Sequence, residues 1–136
     1  MKRKEPAMKI AALILLAFSF TIAGMAQPTK KVIAVINRAD WCHVCQANGE
    51  KMMKEVMPVF KDSDIRFIMN DLTNDETKNT SKMVLEENKV YEAVKKIKST
   101  GMLLLVDELT GKLIDKISLA EPVYKLLDAI RKSFGS

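Results

Sequence analysis

An apolar run near the start of the chain, KVIAVIN over residues 31–37, constrains the fold more than any other feature of the sequence. The run is rich in β-branched residues and does not alternate between apolar and polar positions, which is typical of a strand buried on both faces. Such a strand needs one layer of structure above it and another below it. The sequence therefore predicts an α/β domain in which helices cover both faces of a sheet.

Apolar residues then recur at helical spacing. They predict a helix that begins at Cys42 and ends near Pro58. Its apolar face consists of Cys45, Met52, Met53, Val56 and Phe60. A second strand is predicted over residues 65–69, followed by a long polar segment that residues 86–89 break into two helices. The apolar face of that segment consists of Met83, Val90, Val94 and Ile97.

The last third of the chain predicts a β-hairpin and a final helix. Strands over residues 102–106 and 112–118 flank a turn that contains Gly111. Ser118 and Glu121 have the spacing of a capping box at the start of a helix. The apolar face of that helix consists of Val123, Leu126, Leu127 and Ile130. The order β-α-β-α-β-β-α predicts a mixed central sheet of about four strands with helices on both faces.

The first 26 residues have the pattern of a secretory signal peptide. Basic residues open the chain, residues 10–22 form an almost unbroken apolar run, and Gly24 and Ala26 offer small side chains for cleavage before Gln27. A spanning helix needs about 20 apolar residues, so cleavage is favoured over an uncleaved membrane anchor. We therefore expect one exported domain over residues 27–136, without a stable membrane span after cleavage. Its location would be the periplasm of a Gram-negative source, or otherwise the extracellular space.

The charge of the predicted domain argues against a nucleic-acid function. Of the formal net charge of +5, the leader holds four basic residues and one acidic residue, so the domain keeps about +2. The domain shows no basic patch suited to phosphates and no phosphate-binding loop. We expect no cofactor, and we expect the domain to act as a monomer.

The segment ADWCHVCQ, residues 39–46, contains the only two cysteines, the only histidine and the only tryptophan of the chain. Cys42 lies where the predicted helix begins, so its sulfur faces unpaired N–H groups and the positive end of the helix dipole. That environment favours the thiolate over the thiol. Cys45 lies three residues further along the same helix face. The spacing predicts a redox pair in which one thiol attacks a partner's disulfide and the other resolves the mixed disulfide.

Two other uses of the cysteines are open at this stage. A pair of thiolates suits copper(I) or another soft metal, although a closed zinc site needs four ligands and His43 points away from the face that the sulfurs share. A purely structural disulfide would close a very short loop and would stabilise the fold little. The position at a helix start favours the redox pair, and metal binding is the second hypothesis.

The residues WCHVC resemble the W-C-x-x-C motif of thioredoxins, and the similarity extends through the order of elements across nearly all of the predicted domain. Residues 97–111, IKSTGMLLLVDELTG, are similar to the segment that leads into the third strand of that family. The resemblance implies a thioredoxin-like three-layer sandwich and a thiol–disulfide oxidoreductase. It makes Cys42 the nucleophile, Cys45 the resolving thiol and Trp41 part of the partner-binding surface. The partners would be protein thiols or disulfides of the exported compartment, and a redox protein that recharges the pair.

Three positions depart from the thioredoxin pattern. Gly101 stands where that family has a cis-proline opposite the dithiol, so the Thr100–Gly101 peptide bond is predicted to be trans. The missing proline ring is expected to leave the loop freer and to give metal ions easier access to the sulfurs. Ile36 and Met69 stand where the family has a buried carboxylate and its lysine partner.

The dipeptide between the cysteines, His-Val, also differs from that of thioredoxins. A protonated His43 would stabilise the thiolate of Cys42, and Asp40 would oppose that effect. The alternative is that His43 is only a solvent-facing spacer. We expect Cys42 to be exposed and Cys45 to be shielded. The predicted partner-binding residues are Trp41, His43, Thr100 and Gly101.

Overall fold

The structure, a computed structural model, describes residues 30–135 around a four-stranded mixed sheet. The strands β1 (Val32–Arg38), β2 (Ile65–Asp71), β3 (Met102–Asp107) and β4 (Leu113–Ser118) lie in the order β2-β1-β3-β4. Strand β1 pairs in parallel with β2 and antiparallel with β3, and β3 and β4 form the predicted hairpin. The predicted signal peptide and its cleavage site lie outside the described residues.

Helices cover both faces of this sheet, as predicted. The α-helices are α1 (His43–Lys51), α2 (Asp75–Glu87), α3 (Tyr91–Val94) and α4 (Val123–Ser133). The continuation of α1 packs with α4 against one face, and α2 packs with α3 against the other. Within residues 30–135, no helix combines the length and the apolar composition that crossing a bilayer requires.

Strand β1 lies between two apolar cores because its side chains point alternately to the two faces of the sheet. Val32, Ala34 and Ile36 belong to the core under α1 and α4, whereas Ile33 and Val35 belong to the core under α2 and α3. All five side chains are buried, as the apolar run predicts. Because β1 and β2 pair in parallel, their carboxyl ends meet at one edge of the sheet. This edge lies between the two helical layers.

The first helix begins as predicted and ends less regularly. Cys42 caps α1. The helix then continues through a π-helical turn, Met52–Val56, and a 3-10 turn, Met57–Phe60, so it passes Pro58. Its buried apolar residues are Met52, Val56 and Phe60. The prediction that Met53 shares this face is wrong, because neighbouring residues point about 100° apart around a helix and Met53 is 55% exposed.

The break between α2 and α3 confirms the prediction of two helices. Lys89 adopts a left-handed backbone conformation with φ of 60°, which a continuing helix does not allow. The confirmed members of the apolar face are Val90, Val94 and Ile97. The prediction for Met83 is wrong, because α2 buries the side that carries Ser81 and Leu85. Met83 lies on the other side of the helix and is 62% exposed.

The C-terminal part agrees with the sequence except at the start of the last helix. Gly111 lies in the hairpin turn with φ of 68°. Helix α4 begins only after Pro122, so the predicted capping box is wrong. The Ser118 hydroxyl instead accepts the N–H of Ala120 at 3.1 Å, which forms a turn that ends β4. The predicted apolar face of α4 is confirmed and consists of Val123, Leu126, Leu127 and Ile130.

A candidate dithiol site at the end of the central strand

The two cysteines lie at the carboxyl end of β1, where the chain turns into α1. The Cys42 N–H donates to the Ala39 carbonyl at 3.1 Å, and this turn brings Cys42 to the cap position of the helix. The Cys45 N–H donates to the Cys42 sulfur at 3.2 Å. Cys42 and Cys45 form a disulfide, and their Cα atoms are 5.2 Å apart. The fold thus brings the two predicted thiols together at a helix start.

Both cysteines are buried, so the prediction that Cys42 is exposed is wrong. Cys42 is 5% exposed and Cys45 is 9% exposed. They form a small apolar cluster with Ala39, and Val44 packs against it. Gly101, in the loop before β3, approaches the Cys42 sulfur from the other side. The reason for the burial is therefore the close contact between this loop and the first turn of α1.

Two exposed side chains flank Cys42. Trp41 is 59% exposed, and its indole N–H donates to the Thr73 carbonyl at 3.1 Å. The Asp40 N–H donates to the Thr73 hydroxyl at 3.0 Å. His43, in the first turn of α1, is exposed as well. The segment before the dithiol is therefore tied to the loop after β2, with the indole face left open to a partner.

The loop that faces the dithiol is held in place at Gly101. The Gly101 N–H donates to the Asn37 carbonyl at 2.7 Å, and its carbonyl accepts the Leu119 N–H at 2.8 Å. Its φ is +74°, and an added Cβ atom would lie 2.7 Å from the Val44 side chain and 3.5 Å from the Cys42 sulfur. Glycine is thus required both by the conformation and by the close approach.

The two predictions made for this glycine have different outcomes. The preceding peptide bond is trans as predicted, since residues 30–135 contain no cis bond. The expectation that glycine leaves the loop freer is wrong, because both backbone polar groups of Gly101 are hydrogen-bonded and the residue is buried. The loop closes over the sulfurs instead of opening a path to them.

A buried amide pair beneath the dithiol was missed by sequence reasoning. Asn37 is fully buried on β1, and its side-chain N–H groups donate to the carbonyls of Ile97 at 2.9 Å and Ser99 at 3.2 Å. Its side-chain oxygen accepts a hydrogen bond from Asn70, its register partner on β2, at 2.8 Å. The Asn37 carbonyl lies 3.9 Å from the Cys45 sulfur. The available signal was a polar residue at the end of an otherwise apolar run.

The neighbouring positions are apolar. Ile36 on β1 is buried, and its register partner Met69 on β2 is exposed. Neither side chain can accept or release a proton. The polar group in contact with the Cys45 sulfur is the Asn37 carbonyl, which accepts hydrogen bonds and carries no charge.

Charged groups lie at the outer edge of the site. Arg38 donates to Asp40 and to Asp71, each at 2.5 Å. The hydrogen bond to Asp40 and the charge of Asp71 raise the pKa of Arg38 against the effect of partial burial. Burial acts to raise the pKa of Asp71, but hydrogen bonds from Thr73 and the charge of Arg38 outweigh it and lower that pKa. Because Arg38 pairs with Asp40, the negative charge of Asp40 opposes the effect of His43 on the Cys42 thiolate less strongly.

Within residues 30–135, the two sulfurs are not accompanied by further metal ligands. In the part of the chain that the structure describes, no three side chains of His, Cys, Asp or Glu gather closely enough to hold a metal ion. The metal hypothesis therefore gains no support from the arrangement of these residues.

Two solved structures share this fold. A protein named DsbH oxidoreductase superposes with a TM-score of 0.53 at 12% identity, over 78% of this chain and 74% of that chain. A disulphide isomerase from Xylella fastidiosa Temecula1 superposes with a TM-score of 0.50 at 14% identity, over 97% of this chain and 94% of that chain. Neither a protein-family model nor a curated protein matches the sequence. At these identities the likeness establishes the fold.

The fold and the position of the dithiol match those predicted from the sequence. A mixed sheet covered by helices on both faces, with a C-x-x-C pair at the start of the first helix, is the arrangement of thioredoxin-like proteins. The predicted fold class and the resemblance to thioredoxins are thereby confirmed.

Proposed function

We propose that this chain is an exported thiol–disulfide oxidoreductase that exchanges disulfides with partner proteins, with Cys42 as the nucleophile and Cys45 as the resolving thiol. The observation that carries the proposal is the hydrogen bond from the Cys45 N–H to the Cys42 sulfur at the cap of α1. A sulfur that accepts a helix N–H at the positive end of the helix dipole is stabilised as a thiolate. The thiolate is the form that attacks a disulfide.

The Cys45 sulfur has a different environment. Its neighbour at 3.9 Å is the Asn37 carbonyl oxygen, which attracts an S–H group and repels a thiolate. In the reduced protein this contact keeps Cys45 protonated while Cys42 is ionised. The asymmetry supports the assignment of Cys42 as the first sulfur to react.

Each exchange moves two electrons. The Cys42 thiolate attacks one sulfur of the partner's disulfide, a bond forms between them, and the partner's other sulfur leaves as a thiolate that takes a proton from water. Cys45 then gives its proton to water and attacks the Cys42 sulfur, so that the Cys42–Cys45 disulfide forms and the partner's first sulfur leaves as a thiolate, which is also protonated by water. The partner's disulfide is reduced to two thiols and the dithiol is oxidised. The reverse sequence oxidises a partner dithiol, and a redox protein with its own dithiol or disulfide restores the starting state.

The partner-binding surface in this proposal comprises Trp41, His43, Thr100 and Gly101. Trp41 offers an exposed indole face beside Cys42. Within residues 30–135, the backbone N–H and carbonyl of Thr100 have no hydrogen-bond partner, so they are available to an extended segment of the partner. Gly101 allows close approach but offers no backbone hydrogen bond, since both of its groups are used within the fold.

Trapping of mixed disulfides tests the assignment of the two cysteines. We expect Cys45→Ser to accumulate covalent adducts with exported proteins through Cys42, because the resolving thiol is gone. The matched control Cys42→Ser should trap far fewer. The measurement is a non-reducing gel of each variant after incubation with an exported protein fraction, with and without dithiothreitol. Equal trapping by the two variants would contradict the assignment, and no trapping by either would contradict the function.

Export is a separate part of the proposal and rests on the pattern of residues 1–26. We expect the mature protein to begin near Gln27 and to occur in the exported fraction of its source. Mass spectrometry of the protein from fractionated cells checks this. A full-length chain found only in the cytosol would refute export without affecting the redox assignment.

A further inference from the structure

A cavity of about 440 Å³ opens beside the dithiol, at the carboxyl end of β2. Trp41 and Ile97 line it together with residues of α2 and α3. The charged side chains that line it are all positive. They belong to Lys78, Lys82, Lys95 and Lys98. Among the described residues, no carboxylate lines this space, so the charged side chains of its lining favour an anionic occupant.

The lysines can exchange their present partners for such an occupant because these ion pairs are exposed to water. Three of them pair with an exposed carboxylate three or four residues away along the chain. The pairs are Lys78 with Asp75 at 4.0 Å, Lys82 with Glu86 at 3.7 Å and Lys95 with Glu92 at 2.5 Å. Exposed pairs of this kind contribute little to stability. Within residues 30–135, Lys98 makes no ion pair at all.

Two of the residues that line the cavity, Trp41 and Ile97, connect it to the dithiol. Trp41 directly precedes Cys42. Ile97 belongs to the loop that ends at Gly101, and the Ile97 carbonyl is held by the same Asn37 side chain that lies beneath the sulfurs. A chain segment bound in the cavity would therefore lie next to the segment that carries Cys42 and next to the loop that faces it.

We propose that the cavity binds an acidic, extended segment of the partner protein next to the partner's reactive cysteine. Carboxylate side chains of that segment lie among the four lysines, and an apolar side chain lies against Trp41. A protein segment suits the site because the free backbone groups of Thr100 belong to the same loop as Ile97 and can pair with a second backbone. This inference rests on the proposed function and names its substrate class.

Single-turnover kinetics with two matched peptides test the inference. The peptides share one sequence except that the residues beside their single cysteine are aspartate in one and asparagine in the other. Each cysteine carries 2-mercaptoethanol as a mixed disulfide. The protein, reduced beforehand with dithiothreitol and desalted, attacks the peptide sulfur through Cys42 and releases 2-mercaptoethanol as its thiol. Cys45 then closes the Cys42–Cys45 disulfide, and the peptide leaves with a free thiol.

We expect the aspartate peptide to react about 10-fold faster than the asparagine peptide at low ionic strength, because charge attraction raises the rate of encounter. In 1 M salt the Debye length is about 3 Å, so the two rates should converge.

The informative variant is Lys98→Glu, because Lys98 lines the cavity and makes no ion pair in the described part of the chain. It should lose most of the preference for the aspartate peptide. Lys61→Glu is the matched control, since it makes the same change of charge at an exposed residue before the opposite end of β2. That control should keep the preference.

The reaction with the neutral asparagine peptide separates this inference from the proposed function. If the wild type reduces both peptides at the same rate, the cavity inference is overturned and the proposed function stands. If the reduced wild type reacts with neither peptide, the proposed function is overturned. Equal loss of preference in Lys98→Glu and Lys61→Glu would also overturn the cavity inference, because total charge rather than the cavity would then set the rate.

Discussion

The two sides of the dithiol are built from opposite kinds of contact. On one side, Asn37, Gly101 and the cysteines are buried and joined by hydrogen bonds to backbone and amide groups. On the other side, the cavity has exposed lysines whose ion pairs are open to water. Loss of a buried hydrogen-bond partner costs about 1–3 kcal/mol, whereas an exposed ion pair contributes about 0.2–1 kcal/mol.

The two kinds of contact suit two different roles within the site. The buried side holds the sulfurs and the facing loop in one geometry, which the exchange chemistry needs. In the proposed function, the exposed side can rearrange around different partner segments with little change in folding free energy. Substitutions on the buried side should therefore change stability, and substitutions on the exposed side should change partner choice alone.

The largest effect is expected for Asn37→Ala. The substitution removes the hydrogen bonds to Ile97 and Ser99 and leaves the Asn70 amide unpaired, which should cost roughly 3 kcal/mol of unfolding free energy. The control Asn48→Ala loses a single local hydrogen bond to the Val44 carbonyl within α1 and should cost less than about 1.5 kcal/mol. Urea unfolding of both variants measures the difference. Similar costs would show that the amide pair does not hold the loop.

A smaller effect is expected at the glycine that faces the sulfurs. Gly101→Ala places a Cβ atom 2.7 Å from the Val44 side chain at a φ of +74°, and a left-handed conformation alone costs about 1–2 kcal/mol for a residue with a Cβ. We expect a loss of roughly 2 kcal/mol or more.

The glycine in α1 provides the control for that experiment. A Cβ atom at Gly49 would meet nothing within 4 Å, so Gly49→Ala should stabilise the helix by about 0.5–1 kcal/mol. Thermal unfolding of the two variants should therefore shift in opposite directions. A neutral Gly101→Ala would mean that the loop yields, and that the buried side is not rigid.

Asp71 lies at the outer edge of the site, and its contribution to stability should depend on pH. Its pKa is lower in the folded protein than its ordinary value of 3.8. The stability it contributes is therefore fully present above about pH 4 and is lost as the pH falls through the folded pKa. Asp71→Asn should cost roughly 1–2 kcal/mol at pH 7 and progressively less as the pH falls towards the lowered pKa of Asp71. Urea unfolding across this range checks it, and a penalty independent of pH would contradict the assignment of the Arg38 and Thr73 contacts.

The smallest effect is expected for His43→Gln. His43 is exposed, so its charge acts on Cys42 through solvent and is strongly screened. The reduction potential of the pair should change by less than about 30 mV, which corresponds to about 1.4 kcal/mol for two electrons. Equilibration with a dithiol buffer of known potential measures it. A larger shift would mean that the histidine is coupled to the sulfur despite its exposure.

Periodicity predicted most of the fold because apolar burial imposes it directly. The unbroken run in β1 predicted layers on both faces, and the apolar positions of α4 predicted its buried side. The errors occurred where several faces of a helix carry apolar residues. Met83 matched the period of its segment, but α2 buries Leu85 and the small polar Ser81 instead. Which face packs is decided by the fit to the sheet, which a local pattern does not contain.

The residues of the candidate site could be predicted from the sequence, but their burial and their contacts could not. The spacing of the cysteines and the resemblance to thioredoxins indicated the dithiol and the facing glycine. The burial of Cys42 and the role of Asn37 depend on contacts between distant parts of the chain, since Asn37 and Ile97 are 60 residues apart. Such contacts exist only after the loop has closed over the sulfurs, so residue spacing alone could not predict them.

The burial of both sulfurs also decides which molecules can change the oxidation state of the pair. Disulfide exchange depends on access to the attacked sulfur, and the loop at Gly101 covers Cys42 from one side. A diffusing thiol or peroxide makes no contact that orients it past this cover. In the proposed function, a protein segment that pairs with Thr100 brings its sulfur to the same place each time. The pair should therefore react faster with a docked protein than with a small thiol of the same reactivity.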